Sequence, residues 1–348
     1  MATSSTKQWT VEGGTGFECL TLNNDAAVPQ LGDKQVLVKL HAASLNYRDL
    51  AIARNEFPFG FTDVVIPGSD GAGVVEAVGS HVTRFKAGDK VLTMFNQGHQ
   101  AGSLDAASFK TGLGGFVDGT LREYGAFDET GLVAMPVNLN WQEASTLPCA
   151  GLTAWNALYG LESRALKPGD VVLTQGTGGV SLFAIQFAKA AGAKVIATTS
   201  SNAKAKLLEQ LGADHIINYR ETPNWGEQAK ALTSDRTGVQ HIIEVGGPAT
   251  IAQSLKAVAI DGVISIIGFI GGSSKEQPTF LDCLSNLCTV RGLLVGSRMQ
   301  FEDMNKAIEA NNIHPIVDKQ DFCLEQLKEA YQYMFDQKNL GKVTIKIA

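Results

Sequence analysis

The sequence predicts an α/β fold in which a doubly wound parallel sheet is joined to a second, mostly β domain. Apolar runs alternate with helical stretches through the middle of the chain, at residues 171–175, 194–199, 215–219, 241–245 and 262–268. Such alternation is typical of a parallel sheet that is covered by helices on both faces. The N-terminal part instead has short strand-like runs separated by glycine turns, which favours an antiparallel, barrel-like arrangement.

The glycine cluster at residues 176–179 carries the most specific signal in the chain. An apolar strand leads into it, and residues 182–192 follow as a helix that is closed by glycine. Glycines in such a turn let the backbone approach a phosphate, which the positive end of the helix dipole then faces. Ser181 stands at the third glycine position of the usual pattern, so a plain glycine-rich turn is the alternative. The strand at 194–199 completes a βαβ unit of the size that a Rossmann dinucleotide site requires.

Composition and charge exclude several classes of protein. The chain has 348 residues, of which 44% are hydrophobic and 18% charged, and its formal net charge is −6. This length allows two domains with a sizeable core, and the negative charge disfavours nucleic acid and anionic membranes as partners. No apolar run reaches the roughly 18 residues of a membrane span and the N-terminus lacks a signal-peptide core, so we expect a cytoplasmic protein. The five cysteines are scattered, which does not indicate a disulfide framework.

Several blocks of the sequence resemble, in order and spacing, the medium-chain dehydrogenase/reductase superfamily over almost the full length. The blocks are residues 43–50, 66–79, 86–91, 147–155, 171–192, 211–214 and 292–297. The resemblance implies a GroES-like, mostly β catalytic domain that is split in sequence around a Rossmann dinucleotide-binding domain. We expect the GroES-like domain at residues 1–150 and 310–348 and the Rossmann domain at 151–309.

The positions of the family's zinc ligands are occupied by other residue types here. A catalytic zinc ion needs three Cys, His or carboxylate ligands. Asn46 and Ser69 stand where the family's ligating cysteine and histidine would be, and Cys149 alone stands at a third ligand position. Amide and hydroxyl groups are weak ligands, and the long segment 96–120 contains no cysteine for a structural zinc site. We therefore expect no metal and a place in the zinc-independent branch, which resembles quinone oxidoreductases and enoyl reductases.

The resemblance implies hydride transfer from NADPH to an activated carbon–carbon double bond, as in an enone or enoyl substrate, or to a quinone. Without a Lewis acid, hydrogen-bond donors must meet the charge that develops on the substrate oxygen. We assign Tyr47 as the hydrogen-bond or proton donor and Asn46 as an orienting amide. The alternative for Tyr47 is packing beside the cofactor. The alternatives for the whole chain are a carbonyl or alcohol dehydrogenase of the same fold and a catalytically silent, NADPH-binding structural protein.

The end of the second strand of the βαβ unit predicts NADP(H) rather than NAD(H). NAD-specific domains place an acidic residue there, ~20 residues past the first glycine. Residues 198–204 contain no carboxylate, whereas Ser200, Ser201 and Lys204 offer donors and a positive charge to a 2′-phosphate. A serine N-cap with an exposed lysine is the alternative. The turn and, by resemblance, other loops would hold the rest of the cofactor: Thr153, Gly176, Thr177, Gly178, Gly179, Val180, Tyr219, Gly246, Gly268, Phe269, Ile270, Leu294, Val295, Gly296 and Lys342.

Partners are expected to be a small-molecule substrate and a second copy of the chain. In relatives, the strand that matches residues 289–295 pairs with its twin across a two-fold axis, which implies a homodimer; an apolar edge strand would otherwise invite aggregation. We expect the substrate pocket to be built largely by Phe57, Phe59, the segment 96–120 and the region around Met299.

Overall fold

The computed structural model describes residues 5–274 and 277–348, and contacts divide the chain into two compact units. The first unit contains the described residues up to Leu152 together with Ser297–Ala348, and the second unit is Thr153–Gly296. These units differ from the predicted division mainly by the helix Arg298–Ala310, which belongs to the first unit. Its Asn305 amide donates a hydrogen bond to the carbonyl oxygen of Ala134 (3.0 Å).

Strands and helices are numbered here in chain order. The strands are β1 (Ser5–Glu12), β2 (Leu20–Ala27), β3 (Gln35–Ser44), β4 (Val64–Val65), β5 (Asp70–Val78), β6 (Lys90–Thr93), β7 (Tyr124–Asp128), β8 (Leu132–Ala134), β9 (Val171–Gln175), β10 (Lys194–Thr199), β11 (His215–Asn218), β12 (Val239–Glu244), β13 (Val258–Ile266), β14 (Thr289–Gly292), β15 (Phe322–Cys323) and β16 (Thr344–Lys346). The α-helices are α1 (Tyr47–Ala53), α2 (Ala106–Phe109), α3 (Trp141–Ser145), α4 (Leu152–Tyr159), α5 (Gly179–Ala190), α6 (Asn202–Gln210), α7 (Trp225–Ala231), α8 (Ile251–Ala257), α9 (Phe280–Asn286), α10 (Arg298–Ala310) and α11 (Leu327–Phe335). Within the two described ranges, no helix has the length and apolar character needed to cross a bilayer.

The second unit is built on a parallel sheet of six strands in the order β11-β10-β9-β12-β13-β14. Every neighbouring pair runs parallel. This is the Rossmann order, in which the chain changes direction between its first and fourth strands, here β9 and β12. Helices α5 and α6 pack on β9, β10 and β11, and α8 packs on β12 and β13. Leu173, Ile196, Ile242 and Ile264 are buried in one core, as expected for strands that are continuous apolar runs. The predicted parallel α/β sheet is confirmed.

The first unit is mostly β and centres on strand β3. This strand pairs antiparallel with β5, β7 and β16 in a sheet of the order β15-β16-β3-β5-β6-β8. A smaller sheet has the order β2-β1-β4. Alternate β3 residues Val36, Val38 and Leu40 are buried, which is the period of a strand with one face on the core. The last strand of the chain thus lies beside one of the first.

The long segment 96–120 folds back on itself within the first unit. A β-bridge joins Asn96 to Gly112, and α2 lies inside the segment. The Asp105 carboxylate caps α2 by accepting hydrogen bonds from two backbone amides in its first turn. The backbone amide of Met299 donates to the carbonyl oxygen of Gln100 (3.1 Å). The segment is therefore held against the start of α10.

Candidate active site

The predicted catalytic residues lie where β3 leads into helix α1. Asn46 is the N-cap of α1, and its backbone amide donates to the Asp49 carboxylate (2.8 Å). An N-cap asparagine with an acidic residue three positions later fixes where a helix begins. Tyr47 is consequently the first residue of α1, and its side chain is 45% exposed. Local sequence alone thus positions both residues.

A polar group of side chains surrounds Asn46, and we call it the Asp70 cluster. Asp70 is fully buried and accepts hydrogen bonds from the hydroxyls of Ser44 (2.8 Å) and Ser69 (2.7 Å). Lys342 is also buried, with its Nζ 3.5 Å from Asp70 Oδ2. The Lys342 ammonium donates to Asn46 Oδ1 (2.6 Å) and to the carbonyl oxygen of Leu45 (2.7 Å). The cluster consists of Ser44, Asn46, Ser69, Asp70 and Lys342.

Strand register explains how residues so far apart in sequence meet in this cluster. Ser44, at the end of β3, lies opposite Asp70 of β5 and opposite Thr344 of β16. Lys342 comes two residues before β16, so it reaches the same end of the sheet. Because β3 lies between β5 and β16, the Asp70 carboxylate and the Lys342 ammonium meet at the end of β3. The Lys342 position, expected by resemblance to lie near the cofactor, contacts Asn46 in this unit.

A second buried ion pair lies in α1. Arg48 Nη1 is 3.3 Å from Asp49 Oδ1, and both side chains are largely shielded from water. Burial raises the pKa of Asp49 to about 6, because the charged form loses its hydration, and the Arg48 charge offsets only part of this effect. The Arg48 guanidinium also lies over the rings of Phe57 (5.4 Å) and Phe95 (4.6 Å).

Phenylalanines extend from Arg48 as a partly exposed aromatic cluster. The Phe57 and Phe59 rings are 5.4 Å apart, Phe59 and Phe109 are 6.0 Å apart, and Phe109 and Phe116 are 5.6 Å apart. Phe59 is 52% exposed. The structure therefore brings together Phe57, Phe59 and the segment 96–120, which were expected to line the pocket. Phe109 and Phe116 were not singled out from the sequence, because nothing local distinguishes them from core residues.

The donor set of the Asp70 cluster does not fit a catalytic zinc ion. Asn46 Oδ1 already accepts from an ammonium, whose charge would repel a dication. Burial, reinforced by the Asp70 charge, raises the pKa of the Cys149 thiol, so Cys149 adds no negative charge at neutral pH. Among residues 5–274 and 277–348, no three His, Cys, Asp or Glu side chains are placed to hold a metal ion together. Catalytic zinc needs three such ligands.

The glycine turn of the second unit fits a pyrophosphate. Gly176 has φ +72°, a conformation that favours glycine, and a Cβ added at Gly176 or Gly178 would meet no atom within 4 Å. Open space therefore lies beside the backbone at the N-terminus of α5. The Ser181 hydroxyl donates to the carbonyl oxygen of Gln175 (2.7 Å), which gives the serine a structural task. The turn consists of Gly176, Thr177 and Gly178, and α5 begins with Gly179 and Val180.

Gln175 and Glu244 hold the loop that follows β12. Gln175 Oε1 accepts from the backbone amides of Val245 (3.1 Å) and Gly246 (3.0 Å), and its Nε2 donates to Glu244 (2.8 Å). Glu244 is fully buried and also accepts from the backbone amide of Gly247 (2.9 Å) and from the hydroxyls of Ser254 and Thr250. Neither residue of this pair was singled out from the sequence, although a glutamate at the end of an apolar strand could have indicated it.

The other predicted cofactor residues of this unit follow the strand ends. The backbone amide of Ile270 donates to the carbonyl oxygen of Val245 (3.3 Å), so the loops after β12 and β13 lie together. This brings Gly246 beside the predicted Gly268, Phe269 and Ile270. Val295 is buried with φ +52°, and its carbonyl oxygen accepts from the Asn156 amide (2.7 Å). Leu294, Val295 and Gly296 follow β14, and Thr153 is buried in α4.

The end of β10 carries the residues predicted to choose the cofactor. Ser201 is the N-cap of α6, and its hydroxyl accepts a hydrogen bond from the backbone amide of Lys204 at 3.4 Å. This serine therefore caps the helix, as the alternative to a 2′-phosphate contact predicts. Ser200 directly precedes it. The backbone amide of Tyr219 donates to the carbonyl oxygen of Thr199 (3.1 Å), which places Tyr219 at this strand end. Arg220 follows as a second cation, which was not singled out from the sequence.

Comparison with known proteins agrees with this architecture. A family model described as "Alcohol dehydrogenase GroES-like domain" matches residues 32–137, and one described as "Zinc-binding dehydrogenase" matches residues 179–310. A zinc-type alcohol dehydrogenase-like protein of Schizosaccharomyces pombe is 44% identical over 336 residues, which is 96% of this chain and 96% of that protein.

Two further proteins extend the comparison. Quinone oxidoreductase of Homo sapiens is 29% identical, over 91% of this chain and 90% of that protein. A solved structure of an NAD-dependent alcohol dehydrogenase superposes with a TM-score of 0.86 at 30% identity, and covers 98% of this chain and 100% of that one. The predicted family and its pairing of a GroES-like with a Rossmann domain are confirmed: the chain belongs to the medium-chain dehydrogenase/reductase superfamily, whose members are oxidoreductases that bind a nicotinamide cofactor.

Proposed function

We propose that the protein is an NADPH-dependent, zinc-independent reductase. Its substrates are small molecules with an activated carbon–carbon double bond, as in an enone or enoyl compound, or quinones. The observation that carries this proposal is the Asp70 cluster, in which a buried ammonium, hydroxyls and a carboxylate hold the half-buried Asn46 amide where zinc-dependent relatives present ligands. Preorganised donors of this kind stabilise negative charge on a substrate oxygen without a metal.

The chemistry divides between the cofactor and the residues around Asn46. When bound, NADPH supplies a hydride to the carbon β to the substrate carbonyl. As the double-bond electrons move onto the substrate oxygen, the Tyr47 hydroxyl and the Asn46 amide meet the charge with hydrogen bonds. A proton from Tyr47 or from water then completes the saturated carbonyl compound. With a quinone, one hydride and one proton give the hydroquinone.

Two groups of residues support the proposed ligands. Residues 198–204 carry no carboxylate that would repel a 2′-phosphate, and Lys204 and Arg220 lie near the same strand end. The NAD-dependent alcohol dehydrogenase of this fold makes NADH the alternative. The aromatic cluster of Phe57, Phe59, Phe109 and Phe116 favours planar, apolar substrates, because aromatic rings pack well against conjugated systems.

A panel assay tests the proposed reaction. Purified protein is given NADPH or NADH with quinones, enones, aldehydes and alcohols, and the zinc content of the same sample is measured. We expect NADPH oxidation with quinones or enones, a preference for NADPH, and far less than one zinc per chain. Turnover of aldehydes or alcohols by protein with one tightly bound zinc ion would identify a carbonyl or alcohol dehydrogenase instead. Tight NADPH binding with no turnover would favour a catalytically silent protein.

The proposed assembly is a homodimer that pairs along β14. This strand ends the six-stranded sheet, and neighbouring α9 exposes Phe280 (97%), Leu281 (70%) and Leu284 (66%). An unpaired edge beside an apolar helix face is an aggregation hazard that a second copy would cover. Light scattering at micromolar concentration should give a dimer, and Leu284→Glu should give monomers. A monomeric parent protein would contradict the assembly.

A further inference from the structure

We infer that Lys342 is a positioning residue, whose ammonium orients the Asn46 amide so that an N–H rather than the carbonyl oxygen faces the substrate oxygen. The inference rests on the proposed reductase function and extends it. In this site a fixed ammonium, acting through an amide, supplies the positive charge that a metal ion supplies in zinc-dependent relatives.

The orientation of Asn46 follows from the chemistry of its partner. An ammonium has hydrogens to donate and no lone pair to accept with. The Asn46 side-chain atom that lies 2.6 Å from Lys342 Nζ must therefore be the oxygen. The amide nitrogen is itself a donor and could not accept a hydrogen bond from the ammonium. The Leu45 carbonyl oxygen takes a second Lys342 hydrogen at 2.7 Å, which holds the ammonium in place. The Lys342 contact thus favours the amide orientation in which the oxygen faces the ammonium.

The remaining contacts agree with this direction. Asn46 Nδ2 donates to the Ser69 hydroxyl oxygen at 3.4 Å, and that hydroxyl donates to Asp70 Oδ1 at 2.7 Å. Hydrogen bonds therefore run one way, from Lys342 through Asn46 and Ser69 to Asp70. In such a chain each bond polarises the next, so the ammonium makes the amide N–H groups stronger donors.

The amide keeps one N–H for the substrate. Its nitrogen carries two hydrogens, and the Ser69 contact uses one of them. Asn46 is half-buried, whereas Lys342 and Asp70 are buried, so within the Asp70 cluster the amide is the group that a substrate oxygen can approach. Asp70, 3.5 Å from Lys342 Nζ, balances the ammonium charge and keeps it inside the protein.

Variants of Lys342 and Asn46 test the inference by steady-state kinetics. Lys342→Met should lower kcat about 10²-fold, since a misplaced donor no longer meets the transition state, while the dissociation constant of NADPH stays near the parent value. Lys342→Arg should recover most of kcat, because a guanidinium also donates to Asn46 Oδ1. The double variant with Asn46→Ala should lose no more than Asn46→Ala alone, since Lys342 acts through Asn46. The matched control is Lys346→Met, an exposed lysine of β16 paired with Asp321 (2.8 Å), which should behave as the parent.

Other outcomes would overturn the inference. If Lys342→Met weakens NADPH binding and leaves kcat unchanged, Lys342 serves the cofactor and not Asn46. Removing one partner of a buried ion pair can unfold a protein. Asn46→Asp is therefore the second variant, because it keeps an acceptor for Lys342 and deletes the N–H donor. It should stay folded with kcat reduced about 10²-fold, and parent-like turnover would refute the donor role.

A measurement without substrate separates this inference from the proposed function. In protein labelled with 15N-asparagine, the Asn46 side-chain signals are those lost in Asn46→Asp. In the cofactor-free parent and in Lys342→Arg, the chemical shifts of these signals should differ clearly from those of a solvent-exposed asparagine amide. In Lys342→Met, the chemical shifts should move to those of a solvent-exposed amide. Unchanged signals in Lys342→Met would refute the positioning role. The expected shifts in a protein that turns over no substrate of the panel would refute the reductase function and leave the orientation of Asn46 standing.

Discussion

The two units of the molecule each contain a buried carboxylate, but the groups that stabilise it differ. In the first unit, Asp70 lies 3.5 Å from the Lys342 ammonium. In the second, the groups that the described residues donate to Glu244 are neutral, and include the Gln175 amide and the Ser254 hydroxyl. A charge pair keeps a positive group inside the proposed substrate site, whereas neutral donors fix a backbone loop without adding charge near an anionic cofactor. We propose that the charges of the first unit take part in the reaction, whereas the neutral network of the second unit fixes the conformation of a loop.

The largest effect should come from Tyr47, in the first unit. Tyr47→Phe deletes the hydroxyl and keeps the ring, so turnover should fall ~10²–10³-fold, the usual cost of removing one donor to a developing oxyanion. NADPH affinity should stay close to the parent value in a fluorescence titration. Tyr333→Phe in α11 serves as the control and should turn over normally. If Tyr47→Phe equals the parent across the pH range, Tyr47 only packs, and water or the cofactor ribose supplies the proton.

Asp49 gives the first unit a pH-dependent stability. Its pKa is about 6 in the folded protein against an ordinary 3.8, so the folded state holds the proton more tightly than the unfolded chain. The free energy of unfolding should therefore fall as pH rises from about 4 to about 6, by roughly 3 kcal/mol for about two pKa units. Asp49→Asn removes this contribution, so the variant should gain stability relative to the parent across that window.

Urea unfolding of both proteins at several pH values between 4 and 7 measures this difference. Asp25→Asn, at an exposed position of strand β2, is the matched control for replacing one carboxylate by an amide. Parallel stability curves for Asp49→Asn and the parent would show that burial does not hold a proton on Asp49.

Glu244 tests whether the neutral network of the second unit shapes the cofactor loop. Glu244→Gln turns an acceptor oxygen into a donor that faces other donors, which should cost roughly 1–3 kcal/mol in the free energy of unfolding. The loop after β12 should loosen, and NADPH should bind more weakly in calorimetry. Glu227→Gln, at an exposed ion pair with Lys256 (3.0 Å), should change neither quantity. If Glu244→Gln lowers the stability of the protein but leaves NADPH affinity unchanged, the Glu244 hydrogen bonds serve folding and not cofactor binding.

Lys204 should show the smallest effect, because its side chain is only half-buried. Lys204→Ala removes the proposed charge-assisted contact to the 2′-phosphate, so it should weaken NADPH binding about tenfold and leave NADH binding nearly unaffected. Lys206→Ala, an exposed lysine of the same helix, is the control. If Lys204→Ala weakens NADPH and NADH binding equally, Lys204 does not contact the 2′-phosphate. A parent protein that prefers NADH would contradict the proposed NADPH specificity.

The parallel sheet could be predicted because its evidence is local. Strands β9, β10 and β12 are buried on both faces, so each is a continuous apolar run in the sequence. The glycine turn could be predicted for the same reason, because its glycines are consecutive or nearly so in the sequence. The start of α1 is also readable, since the capping residues lie three positions apart.

The Asp70 cluster could not be predicted, because it depends on contacts across the whole chain. Asn46 and Lys342 are 296 positions apart, and nothing in the sequence around Lys342 indicates that it contacts Asn46. The placement of α10 has the same cause. Its sequence pattern shows that one face is buried but does not show against which unit; its contacts, among them the hydrogen bond from Asn305 to Ala134, place α10 in the first unit.

The insertion of β16 between β15 and β3 has a consequence for biosynthesis. The ribosome releases β3 and β5 early, and the continuous second unit follows before residue 297 is made. Domains fold as units while the chain emerges, so the second unit can form during a long wait. Throughout that wait the residues 42–44 of β3 lack their β16 partner, and Asp70 lacks the Lys342 ammonium, which is made just before β16. We therefore expect the nascent chain to be most prone to aggregation before residues 342–346 are made, since these residues bring the Asp70 counter-charge and the β16 partner of β3 together.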